Sequence, residues 1–272
     1  MRRVTGNAAF EIIPLSNVAA AVDALPVGAQ VSVTVSATKG QDATLRLAEH
    51  LIGRGHPTIP HLSARLMRDR AHVEDVAAWT KANGVTTAFV VGGDATEPGP
   101  YPDAVGFLRE LFTHDHGLHT VGVAAYPDGH PLIVEGARRH ALFAKQDLLA
   151  EAGLQGYCST QMCFDPAKIV AWLTTERHDG LTLPVHLGIP GPVDRTKLLT
   201  IGTRLGVGQS LRYLRKNRRS VVKLLRSPTH DPSELLDALA PHLTPLGISG
   251  LHLFTFNQVA DTAAWRDAAL GS

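Results

Sequence analysis

Cysteine is scarce in this sequence, and Cys158 and Cys163 are the two present. Both fall in a segment that we interpret as a strand, where an offset of five residues places side chains on opposite faces. A disulfide or a shared metal ion between them is therefore disfavoured. Because no disulfide framework is indicated, we expect a protein of a reducing compartment.

Long hydrophobic runs are absent as well. The first residues, MRRVTGNAAFEIIPL, include no apolar stretch of signal-peptide length, and no segment approaches the roughly 20 apolar residues of a membrane span. Charge of either sign is not in excess, since 26 basic and 25 acidic side chains give a net charge of +1. No whole-molecule field therefore favours nucleic acid or an anionic membrane. We expect a cytoplasmic protein without either partner.

The short fingerprints of common catalytic sites are missing. The 14 histidines form no HExxH or other tight metal-ligand spacing, so we expect no metal site. No GxSxG elbow or P-loop occurs, and GTRLGVG at 202–208 does not follow a strand as a dinucleotide fingerprint does. The basic run RYLRKNRRS at 212–220 favours a solvated helix end over a phosphate site.

What the sequence does contain is a repeated alternation of short β-branched runs and longer amphipathic segments. This pattern is typical of βα units around a parallel sheet. The eight predicted strands are AAFEII (8–13), QVSVTVS (30–36), TIPHLS (58–63), TTAFVVG (86–92), HTVGVAA (119–125), QGYCSTQ (155–161), TLPVHLG (182–188) and LHLFTF (251–256). We therefore predict a single (β/α)₈ TIM barrel formed by residues 1–272.

The intervening segments are predicted helices that cover the barrel. DATLRLAEHLIGRG, AHVEDVAAWTKANG and SELLDALAPHLTPLG each end at or near a glycine that can adopt the left-handed C′ conformation. In FDPAKIVAWL, Asp165 is a predicted N-cap and Pro166 takes the first helical position. The seventh unit is the longest, and it predicts an enlarged loop and two helices within 193–217.

Polar residues at the carboxyl ends of the strands are candidates for function, because the reacting groups of such barrels lie at that face. They are Glu11, Thr34, His61, Asp94, Tyr126, His130 and Gln161. Glu11 lies inside the first strand, where burial favours the neutral acid and makes it a candidate proton donor. Structural alternatives stay open: Glu11 as the partner of an arginine, Asp94 as a helix N-cap, and the histidines as hydrogen-bonded core residues.

Read with their neighbours, these residues resemble motifs of the methylenetetrahydrofolate reductase family, from Phe10 to about Asn257. FEIIPL is similar to the family's FEFFPP, VSVTVSA to VSVTYGA, and PHLSA to PHLTC. GGD stands where the family has RGD, AAYPDGHP resembles AAYPEVHP, STQMCFD resembles ITQFFFD, and LHLFTFN resembles FHFYTLN. Seven segments in the family's order, each at a predicted strand end, carry the resemblance.

The resemblance implies reduction of 5,10-methylenetetrahydrofolate to 5-methyltetrahydrofolate with NADH or NADPH as the source of hydride. Glu11 matches the family's catalytic glutamate, which supplies a proton as the bridging methylene opens to an N5 iminium ion. Asp94 matches the aspartate beside the pterin that stabilises the developing positive charge. Gln161 matches the glutamine that hydrogen-bonds the pterin, and Thr34 belongs to the same predicted substrate-binding set.

The cofactor residues match the family only in part. His61, Tyr126 and His130 are retained and are predicted to bind the cofactor. The family's FAD-binding arginine of RGD, and the acidic, amide and lysine residues of the next helix, are replaced at the ungapped positions by Gly92, Arg139, Leu142 and Gln146. Val35 stands where the family has a tyrosine.

These replacements oppose the FAD that the resemblance implies, although the folate residues are intact. We therefore expect the reduced nicotinamide to pass hydride directly to the iminium carbon. Arg138 and Arg139 are candidates to neutralise the dinucleotide phosphates, with a plain surface role as the alternative.

Two other functions are kept open at this point. One is a folate-dependent methyltransferase or demethylase, which does not need the ring-opening acid at Glu11. The other is a folate-binding barrel without catalysis.

Overall fold

The computed structural model describes residues 1–36, 38–194, 198 and 230–271. Its strands are β1 (Ala8–Ile12), β2 (Val31–Val33), β3 (Thr58–Ser63), β4 (Thr87–Val91), β5 (Thr120–Ala125), β6 (Gln155–Thr160), β7 (Val185–Pro190) and β8 (Ile248–Phe254). The helices of the described residues are α1 (Arg2–Gly6), α2 (Val18–Asp23), α3 (Gln41–Gly53), α4 (Arg70–Ala82), α5 (Ala104–Leu111), α6 (Glu135–Glu151), α7 (Pro166–His178), α8 (Ser233–Leu239) and α9 (Val259–Gly271). Two short 3₁₀ turns span Ala64–Leu66 and Ala240–His242.

The eight strands form a closed parallel barrel in chain order, and β1 pairs with β8 to complete the ring. Phe10 lies opposite Val31 of β2 and Leu253 of β8. The predicted (β/α)₈ fold class is therefore confirmed. The extent of the domain over 1–272 stays a prediction. The predicted helices of the seventh unit and the runs at 202–208 and 212–220 lie outside the described residues, apart from the first positions of that unit.

Alternation along the strands divides the core into two parts. Phe10 and Ile12 are fully buried in the layer between the strands and the helices. Ala9 faces the other way and packs inside the barrel with Ile59, Phe89 and Tyr157. Because the period of a strand is two residues, Glu11 faces the barrel interior together with Ala9.

Strand β8 begins three residues earlier than predicted, at Ile248. Its added residues include Gly250. A Cβ at Gly250 would lie 2.7 Å from the Asn7 carbonyl oxygen and 2.8 Å from the His186 ring. Glycine is required here by close approach inside the barrel rather than by a turn.

The predicted ends of α3 and α4 and the predicted start of α7 are confirmed. The predicted helix that begins at Ser233 ends at Leu239, well before the predicted glycine Gly247. The Asp165 side chain accepts hydrogen bonds from the backbone N–H groups of Ala167 and Lys168, and Pro166 is the first residue of α7. Gly55 and Gly84 follow α3 and α4 with φ of 83° and 63°. These are the left-handed conformations that a C′ position favours.

Both cysteines are buried, and neither forms a disulfide. Cys163 lies beyond the end of β6, so the prediction that a strand places the two side chains on opposite faces is wrong for this pair. Among the described residues, no helix has the length and apolarity to cross a membrane.

Candidate functional site

Glu11 lies one residue before the end of β1 and is 8% exposed. Its Oε2 atom is 2.7 Å from Nε2 of His252 on the adjacent strand β8. Oε1 has no hydrogen-bond partner among the residues that the structure describes. The partner that the sequence analysis allowed was an arginine, and a histidine takes that place. His252 therefore holds one carboxyl oxygen of Glu11 and leaves the other without a hydrogen bond to the described residues.

The segment after β8 fixes the strand end that carries Glu11. Thr255 Oγ1 donates a hydrogen bond to the Glu11 carbonyl oxygen at 2.5 Å. The Asn257 amide accepts from the Ile13 backbone N–H at 2.8 Å and donates to the Ile13 carbonyl at 3.0 Å. Phe256 and Asn257 have positive φ angles of 50° and 60°. Such backbone strain in a bulky residue is typical of functional sites, because the surrounding structure must impose it.

His61 on β3 shares the barrel interior with Glu11. Its Nε2 lies 2.7 Å from Ser32 Oγ, and its ring centroid is 4.7 Å from Phe89 and 5.9 Å from His252. Burial lowers the pKa of His61 well below its ordinary value, and the nearby His252 lowers that pKa further. His61 is thus a neutral, hydrogen-bonded interior residue. Its predicted role in cofactor binding stays a prediction.

A third interior histidine, His186 on β7, stacks on Tyr157 with ring centroids 4.3 Å apart. Burial lowers the pKa of His186 to about 4, and His252 contributes to the shift. Burial also raises the pKa of Tyr157. His61, His186 and Tyr157 are therefore neutral near pH 7.

Glu11, His61 and His252 together form a possible metal-binding group. One ligand atom from each lies within 4.8 Å of the other two, and all three residues are buried. Two imidazoles and a carboxylate suit a divalent transition metal. However, Ser32 and the Glu11–His252 hydrogen bond already satisfy one nitrogen of each imidazole. The sequence offered no spacing motif for this group because its members come from β1, β3 and β8. The expected absence of a metal stays a prediction.

Asp94 follows β4 in an exposed loop. The helix N-cap that the sequence analysis considered for it belongs to Asp103, whose side chain accepts from Gly106 N at the start of α5. Gly93 has φ of 92°, and a Cβ there would collide with Ser63 Oγ at the end of β3. Arg65 donates to the Ala95 carbonyl at 3.2 Å. These contacts fix the backbone on both sides of Asp94 and leave its carboxylate exposed.

Asp94 lies close to the loop after β5. Tyr126 and His130 pack edge to face there, with ring centroids 5.1 Å apart. Burial raises the pKa of Tyr126, and the Asp94 carboxylate raises it further. Burial also lowers the pKa of His130, an effect that Asp94 opposes and Arg138 reinforces. The structure therefore brings together four of the residues predicted from sequence. They are Asp94 after β4, Tyr126 and His130 after β5, and Arg138 on α6.

A cavity of about 860 Å³ lies beside this loop, between α6 and α7. Its volume falls in the range of small-molecule sites, about 300–1,000 Å³. Its lining includes two aromatic and three cationic side chains: Tyr126, Trp172, Arg138, Arg139 and Lys168. Lys168 Nζ is paired with Asp128 at 2.6 Å. Arg138 donates to the Ile133 carbonyl at 3.0 Å and carries no salt bridge among the described residues.

The positions that match the family's FAD contacts are engaged elsewhere. Arg139 is bonded to Glu176 and Asp179, and the Leu142 side chain is 5% exposed in the apolar core. Gln146 accepts from the Thr182 backbone N–H at 2.7 Å and donates to the Gly180 carbonyl at 3.1 Å. These side chains join α6 to α7 and to the segment before β7.

Thr34 and Gln161 follow β2 and β6, four strands apart in the ring of eight. Thr34 continues the pairing of β2, since its N–H donates to the Ile12 carbonyl at 2.9 Å. Gln161 Oε1 accepts from the Met162 backbone N–H at 2.8 Å, and its amide nitrogen has no partner among the described residues. The two predicted substrate contacts therefore flank opposite sides of the barrel mouth.

The sequence analysis missed His252 and His186. His252 lies two residues before the end of β8, inside LHLFTF, so the rule that selected Glu11 and His61 also applies to it. His186 is the second residue of β7, far from the strand end, and no signal in the sequence distinguished it.

No protein-family model matches the chain. Two solved structures resemble it over almost their whole length. An uncharacterised protein from Clostridium thermocellum that binds two copies of 5-methyl-5,6,7,8-tetrahydrofolic acid is 13% identical, with a TM-score of 0.67 over 99% of this chain and 97% of its own. A proposed phosphonomutase from Burkholderia cenocepacia is 14% identical, with a TM-score of 0.51 over 99% of this chain and 95% of its own. At such identities both likenesses concern the fold, which is the (β/α)₈ barrel.

Proposed function

We propose that this protein reduces 5,10-methylenetetrahydrofolate to 5-methyltetrahydrofolate with NADH or NADPH as the hydride donor. The observation that carries the proposal is the geometry of Glu11. This residue is a buried carboxyl group near the carboxyl end of β1 in a TIM barrel, with one oxygen held by His252 and the other without a partner among the described residues. That is the arrangement a general acid needs.

Two further observations support a folate substrate. All seven segments that resemble the reductase family occupy the carboxyl ends of strands β1 to β6 and β8, the face where TIM barrels bind substrates. The Clostridium thermocellum protein that shares the fold binds a methylated tetrahydrofolate. Its ligand is the product of the proposed reaction, and it is also compatible with a methyltransferase or a non-catalytic folate-binding protein.

The proposed chemistry assigns one task to each residue. Glu11 donates a proton to the nitrogen that leaves as the bridging C–N bond breaks, and that nitrogen keeps the bonding electron pair. The methylene carbon remains on N5 as an iminium ion, whose positive charge the Asp94 carboxylate stabilises. Hydride from the nicotinamide then adds to the methylene carbon to give the methyl group and NAD(P)⁺. Gln161 and Thr34 hold the pterin.

The dinucleotide is proposed to occupy the cavity between α6 and α7. Tyr126 and Trp172 offer flat faces for ring stacking, and Arg138 offers a cation for a phosphate. Arg139 is the weaker of the two predicted phosphate contacts because Glu176 and Asp179 already neutralise it.

The residues present do not fit FAD. Gly92 offers no side chain, Leu142 is apolar and buried, and both ends of the Gln146 amide are bonded within the protein. Tight flavin binding needs several free donors and a cation at such positions. We therefore propose direct hydride transfer without a flavin.

An anaerobic assay with each nicotinamide tests the function. We expect oxidation of NADH or NADPH that depends on 5,10-methylenetetrahydrofolate and yields 5-methyltetrahydrofolate. Binding of tetrahydrofolates without any nicotinamide oxidation would contradict the reductase and favour a methyltransferase or a binding protein.

A further inference from the structure

His252 contacts Glu11 from the neighbouring strand and does so inside the barrel. The residue is 4% exposed, and its ring lies among aromatic neighbours, with centroids 4.9 Å from Phe254 and 5.9 Å from Phe89. These rings restrict the rotation of the imidazole. Nε2 therefore stays directed at Glu11 Oε2, 2.7 Å away.

The hydrogen bond to His252 makes the two oxygens of the Glu11 carboxyl group inequivalent. When the imidazole N–H donates to Oε2, that oxygen acts as an acceptor, and the acidic proton of neutral Glu11 is carried by Oε1. Oε1 is the oxygen without a partner among the described residues. A proton donor whose proton is fixed on the oxygen that makes no hydrogen bond within the protein needs no rotation before it reacts.

The other ionisable groups around His252 do not compete for this role. His61 on β3 bonds to Ser32, and His186 on β7 stacks on Tyr157 of β6. Burial holds both histidines neutral. Among the described residues, Glu11 on β1 is the one carboxylate that lies within hydrogen-bonding distance of His252.

We propose that His252 is a positioning residue for Glu11: its Nε2–H holds Oε2 and thereby presents the proton on Oε1 to the substrate. This inference rests on the proposed reductase activity. It predicts that turnover depends on the hydrogen bond that His252 donates to Glu11.

The test compares His252→Gln with His252→Phe. The glutamine amide can donate to Oε2, whereas phenylalanine keeps the ring shape and cannot donate. We expect His252→Phe to lower kcat on the order of 10²-fold, as misplacement of a reacting group does. We expect KM for the folate and binding of 5-methyltetrahydrofolate to change less than about threefold, and His252→Gln to recover most of kcat. His186→Phe is the matched control, since it replaces an interior histidine that does not contact Glu11.

A double-mutant cycle shows whether His252 acts through Glu11. Once Glu11→Gln has removed the acidic proton, adding His252→Phe should lower turnover no further. The urea midpoint should also shift less in the double variant than the two single shifts predict together.

The possible failures are distinguishable. Unchanged kcat in His252→Phe, equal losses in the Gln and Phe variants, or additive effects in the cycle would each overturn the positioning role while wild-type turnover upholds the reductase. Absence of wild-type turnover with both nicotinamides would overturn the proposed function, and the positioning role with it. In that case the urea midpoints still report whether the two side chains are paired.

Discussion

Arg139 of α6 donates from Nε to both carboxylate oxygens of Glu176 on α7, at 3.1 Å each. Glu176 is buried, and Asp179 binds the same guanidinium from the end of α7. A cation held by two carboxylates is neutralised within the protein. It therefore stabilises the junction of α6 and α7.

The first prediction follows from this engagement. We expect a colourless purified protein, turnover without added flavin, and sequential kinetics, because a ping-pong mechanism requires a reduced enzyme form that a flavin would store. The visible absorption spectrum and the initial-rate patterns check this. A yellow protein whose activity is lost on flavin removal and returns with FAD would overturn the prediction and leave the reductase assignment standing.

Arg138 is the subject of the second prediction. Replacing it with alanine removes the cation of the α6–α7 cavity that has no salt bridge among the described residues. We expect KM for the nicotinamide to rise about tenfold, which corresponds to the loss of about 1.4 kcal/mol of binding free energy. Folate binding should stay the same. Arg46→Ala, an exposed arginine on α3, is the control. Equal effects of the two substitutions on KM would place the dinucleotide elsewhere.

The fold was predictable from sequence because its signal is local. Each strand of the barrel appears as a short apolar or β-branched run, and some helix ends have a local cap or glycine, as Asp165 and Gly84 show. The predicted start of β8 was wrong because it depends on contacts between residues that are distant in sequence. Gly250 belongs to β8 because it pairs with His186 of β7, and it is glycine because Asn7 and His186 leave no room for a side chain there.

The candidate site was predictable residue by residue but not in its pairings. Glu11 and His252 are 241 positions apart, and Arg139 and Glu176 are 37 apart. No sequence periodicity links such positions. The hydrogen bond between Glu11 and His252 and the ion pair between Arg139 and Glu176 could therefore be identified only from the three-dimensional structure. The strand-end rule nevertheless covers His252 and would have selected it.

Asp94 provides the third prediction. Its exposed carboxylate lies beside Tyr126 and His130, in a loop that Gly93 and Arg65 hold. We expect Asp94→Asn to lower turnover and to weaken folate binding together, because it removes both a pterin contact and the charge that stabilises the iminium ion. Steady-state rates and a folate titration check this. If both quantities stay at their wild-type values, Asp94 is a structural loop residue.

The fourth prediction concerns Glu11 itself. Glu11→Gln preserves the shape of the side chain and removes the transferable proton. We expect the fold and folate binding to persist while turnover falls on the order of 10²-fold or more. Circular dichroism, a 5-methyltetrahydrofolate titration and kcat report these three properties separately. Near-normal turnover would exclude Glu11 as the acid.

The last prediction concerns the stability of the barrel in acid, and it does not depend on the proposed function. The pKa of His186 is about 4 in the folded protein, against an ordinary value of 6.5. Between these values the unfolded chain binds a proton that the folded chain excludes. The contribution is therefore fully present above about pH 6.5 and is lost as the pH falls from there through about pH 4. At pH 5 the loss is about 2 kcal/mol of unfolding free energy.

His186→Phe keeps the stacking on Tyr157 and removes the titration, so its stability should fall less than that of the wild type between pH 7 and pH 5, by about this amount. Urea unfolding at the two pH values measures the difference. His50→Phe, at an exposed position on α3, serves as the control and should leave the wild-type pH dependence unchanged. An identical pH dependence in the wild type and His186→Phe would show that His186 is protonated in the folded barrel.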